Sequence, residues 1–283
     1  MKCRPASNPY TAWLLWGGLA LSSAGIAGAQ PAAQPVAAGP VNAAPVAAAP
    51  VAATPVALPY LSPGQVDSVA LLEPPPAAGS EAAGQDLKAV LATQHAAHAQ
   101  NTIERAEADA QASCGRVADV LRLNSGASAA MAFATRAALE ASAATGAAKL
   151  YWHRARPYVV SPEVELPGGV ATGKPAGSAE AKAWEYTSYP SGHAAFGAAC
   201  AIVLAQMVPE ERAALFARGR AYGQSRVIIG AHFPSDVEAG HLIGTVTAAF
   251  LLQSPRFQSD LHAARAGLRQ ALGLPAETHT PAP

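Results

Sequence analysis

The chain has 283 residues, of which 51% are hydrophobic and 13% charged, with 19 basic and 19 acidic side chains. So much apolar material excludes a chain that is disordered throughout, and the balanced charge excludes the basic footprint of a nucleic-acid binder. The length suits one substantial core and not obviously two.

Lys2 and Arg4 precede an apolar run from Ala12 to Leu21, and Ala27-Gly28-Ala29 is a small-x-small cleavage site. Residues 1–29 therefore read as a secretory signal peptide. The apolar run falls short of the about 20 residues that span a bilayer, so no stable membrane insertion is expected after cleavage. Cleavage near Ala29 removes Lys2 and Arg4, leaves 17 basic against 19 acidic side chains, and places the mature chain in the periplasm or outside the cell.

Residues 30–57 collapse to Ala, Pro and Val, as in Ala44-Pro45-Val46-Ala47-Ala48-Ala49-Pro50. Proline at this density blocks helical hydrogen bonds, and there is nothing large to bury, so a disordered spacer is expected. Residues 58–283 are left as one folded domain, with the last ~10 residues expected to be disordered. The mature chain keeps Cys114 and Cys200. Export makes a bridge chemically feasible, while their Ala-rich settings suit buried free thiols equally well.

The folded part reads as all-α, a helical bundle. Segments around 85–110, 112–121, 127–153, 193–208, 209–228, 236–252 and 255–272 are rich in Ala, Leu, Glu, Gln and Arg, and no stretch alternates at the strand period. Ser235-Asp236-Val237-Glu238 is a capping-box pattern, and Ser254-Pro255 puts proline at a first helical position. Tyr158 to Tyr189 carries Pro162, Pro167, Pro175 and several glycines, so a long loop is expected there. The stretch after His193 is apolar almost all round and stops at Pro209. It suits a central buried helix better than a membrane span.

Three motifs carry chemistry. Pro190-Ser191-Gly192-His193 precedes the apolar helix, so the Ser191 hydroxyl and the N–H groups of Gly192 and His193 can face an anion at a helix N-terminus. Arg156 and Arg226 offer planar forks to phosphate oxygens, and Lys149 lies seven residues before Arg156, about two turns along the same helical face if Pro157 ends that helix. Three such cations stabilise transferring phosphoryl charge, the work a metal ion does elsewhere. His232 precedes Asp236 by four residues; a carboxylate there can bind one ring nitrogen and leave the other free to attack phosphorus. His193, beside the cradle, is then the general acid. No metal ligand set and no cofactor is implied. His95 and His98 read as a solvated helix face, His241 as a packing residue, and Trp184 and Tyr186 as loop anchors or ring-stacking groups.

The pattern Lys149-x6-Arg156-Pro157, Pro190-Ser191-Gly192-His193, Ser225-Arg226-x5-His232-x3-Asp236 resembles the signature of the type 2 phosphatidic acid phosphatase and vanadium haloperoxidase superfamily. More narrowly, the chain resembles the bacterial class A non-specific acid phosphatases. Leu72 with Pro74-Pro75-Pro76 and Gly79-Ser80, Arg154, Ser188-Tyr189, Gly223-Gln224 and Ser235-Asp236-Val237 carry that narrower likeness. It implies an all-helical bundle with the site at helix ends. It also implies an exported, metal-independent enzyme that hydrolyses many small phosphate monoesters at acidic pH. Carried over by position, His232 forms a phosphohistidine, Asp236 orients it, His193 is the acid, and Lys149, Arg156, Ser191, Gly192 and Arg226 hold the phosphate. A vanadate-dependent haloperoxidase and a soluble lipid phosphatase are the alternatives. Homo-oligomer formation stays open.

Overall fold

The computed structural model describes residues 60–123, 126–167 and 178–275, where helices alternate with loops and no strand occurs. In order the helices are α1 (Ser68–Leu71), α2 (Glu81–Gln100), α3 (Ile103–Ala108), α4 (Cys114–Val117), α5 (Ser128–Ala144), α6 (Gly146–Trp152), α7 (Pro157–Val160), α8 (Ala179–Trp184), α9 (Gly192–Met207), α10 (Arg212–Ile228), α11 (Pro234–Gln253) and α12 (Pro255–Ala271). The expected signal peptide and spacer, the tail, and the middle of the Pro/Gly-rich insert lie outside the described residues.

The all-α expectation holds, with three corrections. The segment expected over 85–110 is two helices, because Asn101 turns left-handed (φ 52°) and its N–H closes onto the end of α2. The segment expected over 127–153 breaks at Thr145 and ends at Trp152, where His153 adopts φ 48°. The insert expected to be loop contains helix: Pro157 starts α7 at a position where its missing N–H costs nothing, and the Ser178 hydroxyl accepts from Ala181 N at the start of α8.

The apolar stretch after His193 becomes α9, and α5, α10 and α11 pack around it while α12 covers α5, α9 and α11. Phe196, Leu204, Leu215, Ile243, Leu251 and Phe257 are fully buried there, each worth roughly 1.5–3 kcal/mol of transfer free energy. Small residues set the helix spacing. A Cβ on Gly240 would fall on the Ser191 carbonyl oxygen and one on Gly244 on the Ala195 carbonyl oxygen, so α11 and α9 approach backbone to backbone. No helix among the described residues is long and apolar enough to cross a membrane.

Two long-range ties close the bundle. Cys114 and Cys200 are disulfide-bonded, joining α4 to α9 across 86 residues of sequence. In the chain-entropy model, such a loop stabilises by about 4.6 kcal/mol. Glu140, 1% exposed on α5, accepts hydrogen bonds from Tyr60 N (3.2 Å) and Leu61 N (3.0 Å), and burial raises its pKa. That carboxylate fixes the start of the described chain to the core.

Candidate active site

The site is assembled where α9, α10 and α11 begin or end. Ser191 is the N-cap of α9: its hydroxyl oxygen accepts from Ala194 N at 3.3 Å, which leaves the hydroxyl proton to donate elsewhere. Gly192 and His193 follow as the first helical residues, whose N–H groups have no carbonyl one turn earlier to bond. A Cβ on Gly192 would come within 2.9 Å of Ser142 Oγ, so this turn presses directly against α5.

Gly230 ends α10. Its left-handed conformation (φ 68°) allows Gly230 N to donate to Val227 O (3.0 Å) and Ala231 N to donate to Arg226 O (2.9 Å), the paired bonds of a Schellman motif. The chain thereby reverses and delivers His232 next to Arg226. Phe233 is the N-cap of α11, and Asp236 is its third residue; the Asp236 carboxylate accepts from Phe233 N at 2.8 Å. The capping box expected from Ser235 to Glu238 is replaced by half a box two residues earlier: Asp236 accepts from Phe233 N, and Phe233 has no side-chain acceptor to return the bond.

Lys149 and Arg156 converge, although not along one helix as the spacing suggested. With α6 ended by His153, Arg156 lies in extended backbone before α7 (φ −77°, ψ 158°). Its guanidinium donates to Trp184 O (3.0 Å), Ala231 O (2.8 Å) and Thr187 O and Oγ1, and stacks 4.3 Å from the Trp184 ring. Trp184 is thus an anchor for the arginine. The Lys149 ammonium donates to Thr187 O (2.7 Å) and Pro190 O (2.6 Å), which fixes it beside the α9 N-terminus. Arg226 is 4% exposed, and among the described residues its Nε and one terminal nitrogen have no acceptor. Buried donors of this kind call for an oxyanion.

Burial, chiefly, pushes the Arg156 and Arg226 guanidinium groups down to about 10, and for Arg226 the neighbouring Arg156 charge adds to it. Burial and the Arg156 charge hold Lys149 well below the ordinary lysine value. A dianion bound among the three would reverse that mutual repulsion.

The two histidines differ in their partners. His232 Nε2 lies 3.1 Å from an Arg156 nitrogen; a guanidinium can only donate, so Nε2 holds a lone pair and Nδ1 holds the proton. Nδ1 faces Asp236 Oδ2 at 3.5 Å, longer than a good hydrogen bond. Burial, then the Arg156 charge, keeps His232 well below its ordinary pKa. His193 Nε2 lies 2.9 Å from Ala110 O, which can only accept, so Nε2–H donates and any second proton resides on Nδ1. The ring stacks on Tyr222 with centroids 6.1 Å apart. Burial and the Arg226 charge push His193 from 6.5 down to about 3.

That depression has a sign that can be checked. Between pH 6.5 and about 3 the unfolded chain binds a proton that the folded one refuses, so His193 costs stability as pH falls through this window. Phosphate bound among the cations supplies the missing negative charge and should raise the His193 pKa. NMR titration of the ring with and without saturating phosphate measures this directly; a value insensitive to phosphate would place the ring outside the field of the site.

Asp236 is fully buried and pinned from several sides. Besides Phe233 N, its Oδ2 accepts from the Ser188 hydroxyl (2.6 Å), and its Oδ1 accepts from Arg154 (2.6 Å). Arg154 stacks 4.1 Å from the Phe233 ring and donates its other terminal nitrogen to Asp86 Oδ2 (2.8 Å). A second buried network holds α10: Arg218 donates to both oxygens of Asp109, and the Ser225 hydroxyl donates to Asp109 Oδ2 at 2.7 Å. Ser225 thus anchors the helix that presents Arg226. Asp86 and Asp109 escaped the reading of the sequence, since each lies far along the chain from its arginine and in no motif of its own.

The structure brings together Lys149, Arg156, Ser191, Gly192, His193, Arg226, His232 and Asp236. Residues set aside in the sequence stay apart: His98 pairs on the surface with Glu165 (2.9 Å), His95 is exposed, Tyr186 stacks on His153, and His241 packs against Gly223. Among the described residues, no three His, Cys, Asp or Glu side chains are placed to hold a metal ion.

Residues 127–260 match the model of the PAP2 superfamily. The chain is 40% identical over 131 residues to a non-specific acid phosphatase of Salmonella typhimurium, covering 46% of this chain and 49% of the relative. It is 35% identical over 136 residues to an acid phosphatase of Zymomonas mobilis, covering 48% and 47%. A non-specific acid phosphatase of Providencia stuartii is 45% identical over 78 residues, covering 28% and 32%. The chain thus matches about half the length of the first two.

Proposed function

We propose, from the match of residues 127–260 to the PAP2 superfamily, that the chain is a member of it and an exported, metal-independent acid phosphatase hydrolysing small phosphate monoesters through a phosphohistidine. The names of its bacterial relatives support the reaction, and the reading of residues 1–29 as a signal peptide supports export. One observation carries the mechanism: His232 keeps its Nε2 lone pair beside Arg156 in the cation cluster, with its Nδ1 proton turned to a buried carboxylate.

In this mechanism, Lys149, Arg156 and Arg226, with the Ser191 hydroxyl and the Gly192 N–H, hold the three non-bridging phosphoryl oxygens. The His232 Nε2 lone pair forms the N–P bond as the P–O ester bond breaks. The departing alkoxide takes the Nδ1 proton of His193, which that ring acquires once the phosphate dianion offsets the cations. The imidazolium formed on His232 has its Nδ1–H drawn to Asp236. Water then attacks phosphorus, gives a proton to His193, and the N–P bond breaks to release phosphate and restore both rings.

The test is a panel of phosphate monoesters assayed at acidic pH, with and without a strong chelator, and inhibited in turn by vanadate and phosphate. Several monoesters should be cleaved and chelation should leave the rates unchanged. Vanadate should bind more tightly than phosphate, because a trigonal-bipyramidal oxyanion matches the transition state. Activity abolished by chelation and restored by added metal would mean that His232 and Asp236 act as ligands, and the mechanism would fall.

A further inference from the structure

Asp86, on α2, contributes nothing to the phosphate cradle, yet it is 9% exposed and its carboxylate is fully engaged. Oδ2 accepts from Arg154 and from the Ser235 hydroxyl, and Oδ1 accepts from Ser235 N at 3.3 Å. Arg154 gives one terminal nitrogen to Asp86 and the other to Asp236 and Ser235 Oγ, while its face rests on Phe233. The arginine is thus held between two buried carboxylates, of which only Asp236 reaches His232.

We propose that Asp86 is a positioning residue for His232, acting through Arg154 on the Asp236 carboxylate. The inference rests on the phosphatase reading above and adds a member to its machinery. Two physical effects support it. The first is geometric: a planar guanidinium fixed at one end by Asp86 pins Asp236 Oδ1 at the other, so that Oδ2 keeps its face toward His232 Nδ1. The second is charge balance. Arg154 with Asp236 alone would sum to zero and leave nothing to meet the imidazolium that forms on His232 amid three cations. With Asp86 included, the group carries a net negative charge, and Asp236 keeps an effective charge toward the ring.

The full-length enzyme with Asp86→Asn preserves shape and removes one charge. The expected result is a fall in kcat of roughly tenfold or more, as coupling within one buried network allows, with KM and vanadate inhibition changed by less than about threefold. Ser235→Ala supplies the control, because it removes the hydroxyl that Asp86 accepts from and Arg154 also donates to, while leaving Ser235 N on Asp86 and both arginine–carboxylate ion pairs. Its kcat should stay near that of the wild type. An undiminished kcat in Asp86→Asn overturns the proposal, as does an equal loss in Ser235→Ala, which would make Asp86 a helix anchor only. Should Asp86→Asn fail to fold, Asp86→Glu keeps the charge and displaces the fork: lowered kcat at unchanged vanadate affinity supports the role, and unchanged kcat overturns it. A wild type that cleaves no monoester would instead take down the phosphatase reading itself.

Discussion

Replacing His232 by alanine should lower turnover of any phosphate monoester by at least about a thousandfold, because in the proposed mechanism the step it removes is the formation of the N–P bond. The cradle does not need that ring. Lys149 is held by Thr187 O and Pro190 O, and Arg156 keeps Trp184 O and Ala231 O as acceptors. Phosphate should therefore still bind to His232→Ala within about tenfold of the wild type, so that kcat and ground-state binding part company. Acid-quench labelling should trap a phosphoenzyme in the wild type and none in the variant. Near-normal turnover in His232→Ala would remove the nucleophile from the mechanism.

The second large effect falls on His193 and depends on the substrate. The role proposed for it is to protonate a departing alkoxide, and general acids of this kind contribute about 10²–10⁴-fold. His193→Asn should lose rate in that range on alkyl esters and far less on an aryl ester whose leaving group departs without a proton. The pH dependence should follow. In the free enzyme, burial and Arg226 hold the ring at about 3, so the proton it donates must be acquired with the substrate in place. The alkaline limb of kcat should accordingly lie well above that value and vanish in His193→Asn. Equal losses on both classes of ester would show that the ring has no proton to give.

How far the site was legible from the residues differs from motif to motif. Ser191-Gly192-His193 could be placed because a helix start is a local event: an N-cap hydroxyl and an apolar run say where the free N–H groups will be. Lys149 and Arg156 were paired for a wrong reason. The spacing suggested two turns of one helix, whereas α6 stops at Trp152 and Arg156 is carried by extended backbone bonded to Glu185 O. They meet because Thr187 O receives hydrogen bonds from both. The expected box at the start of α11 paired Ser235 with Glu238, two residues late: the acid that closes this helix start is Asp236, and Phe233 before it is not a residue whose side chain advertises a cap. Asp86 and Asp109 were invisible for another reason: Arg154 and Arg218 reach them across 68 and 109 residues, and nothing local marks which acid a distant arginine will choose. The bridge between Cys114 and Cys200 was equally open until the fold set their Cα atoms 5.6 Å apart.

The backbone contact of α11 with α9 reaches beyond packing. Gly240 rests on the carbonyl of Ser191, and Ser191 N in turn donates to the Asp236 carbonyl at 2.8 Å. The helix that follows His232 and the helix of the cradle are therefore gauged against each other chiefly by main chain, with no large side chain at this contact to be exchanged for a smaller one. A lineage exploring new substrates cannot adjust that gap by degrees. Its freedom lies away from that contact, at residues that neither hold Arg156, Lys149 and Asp236 nor separate the two helices, while the distance between His232 and the cradle stays as the glycines set it.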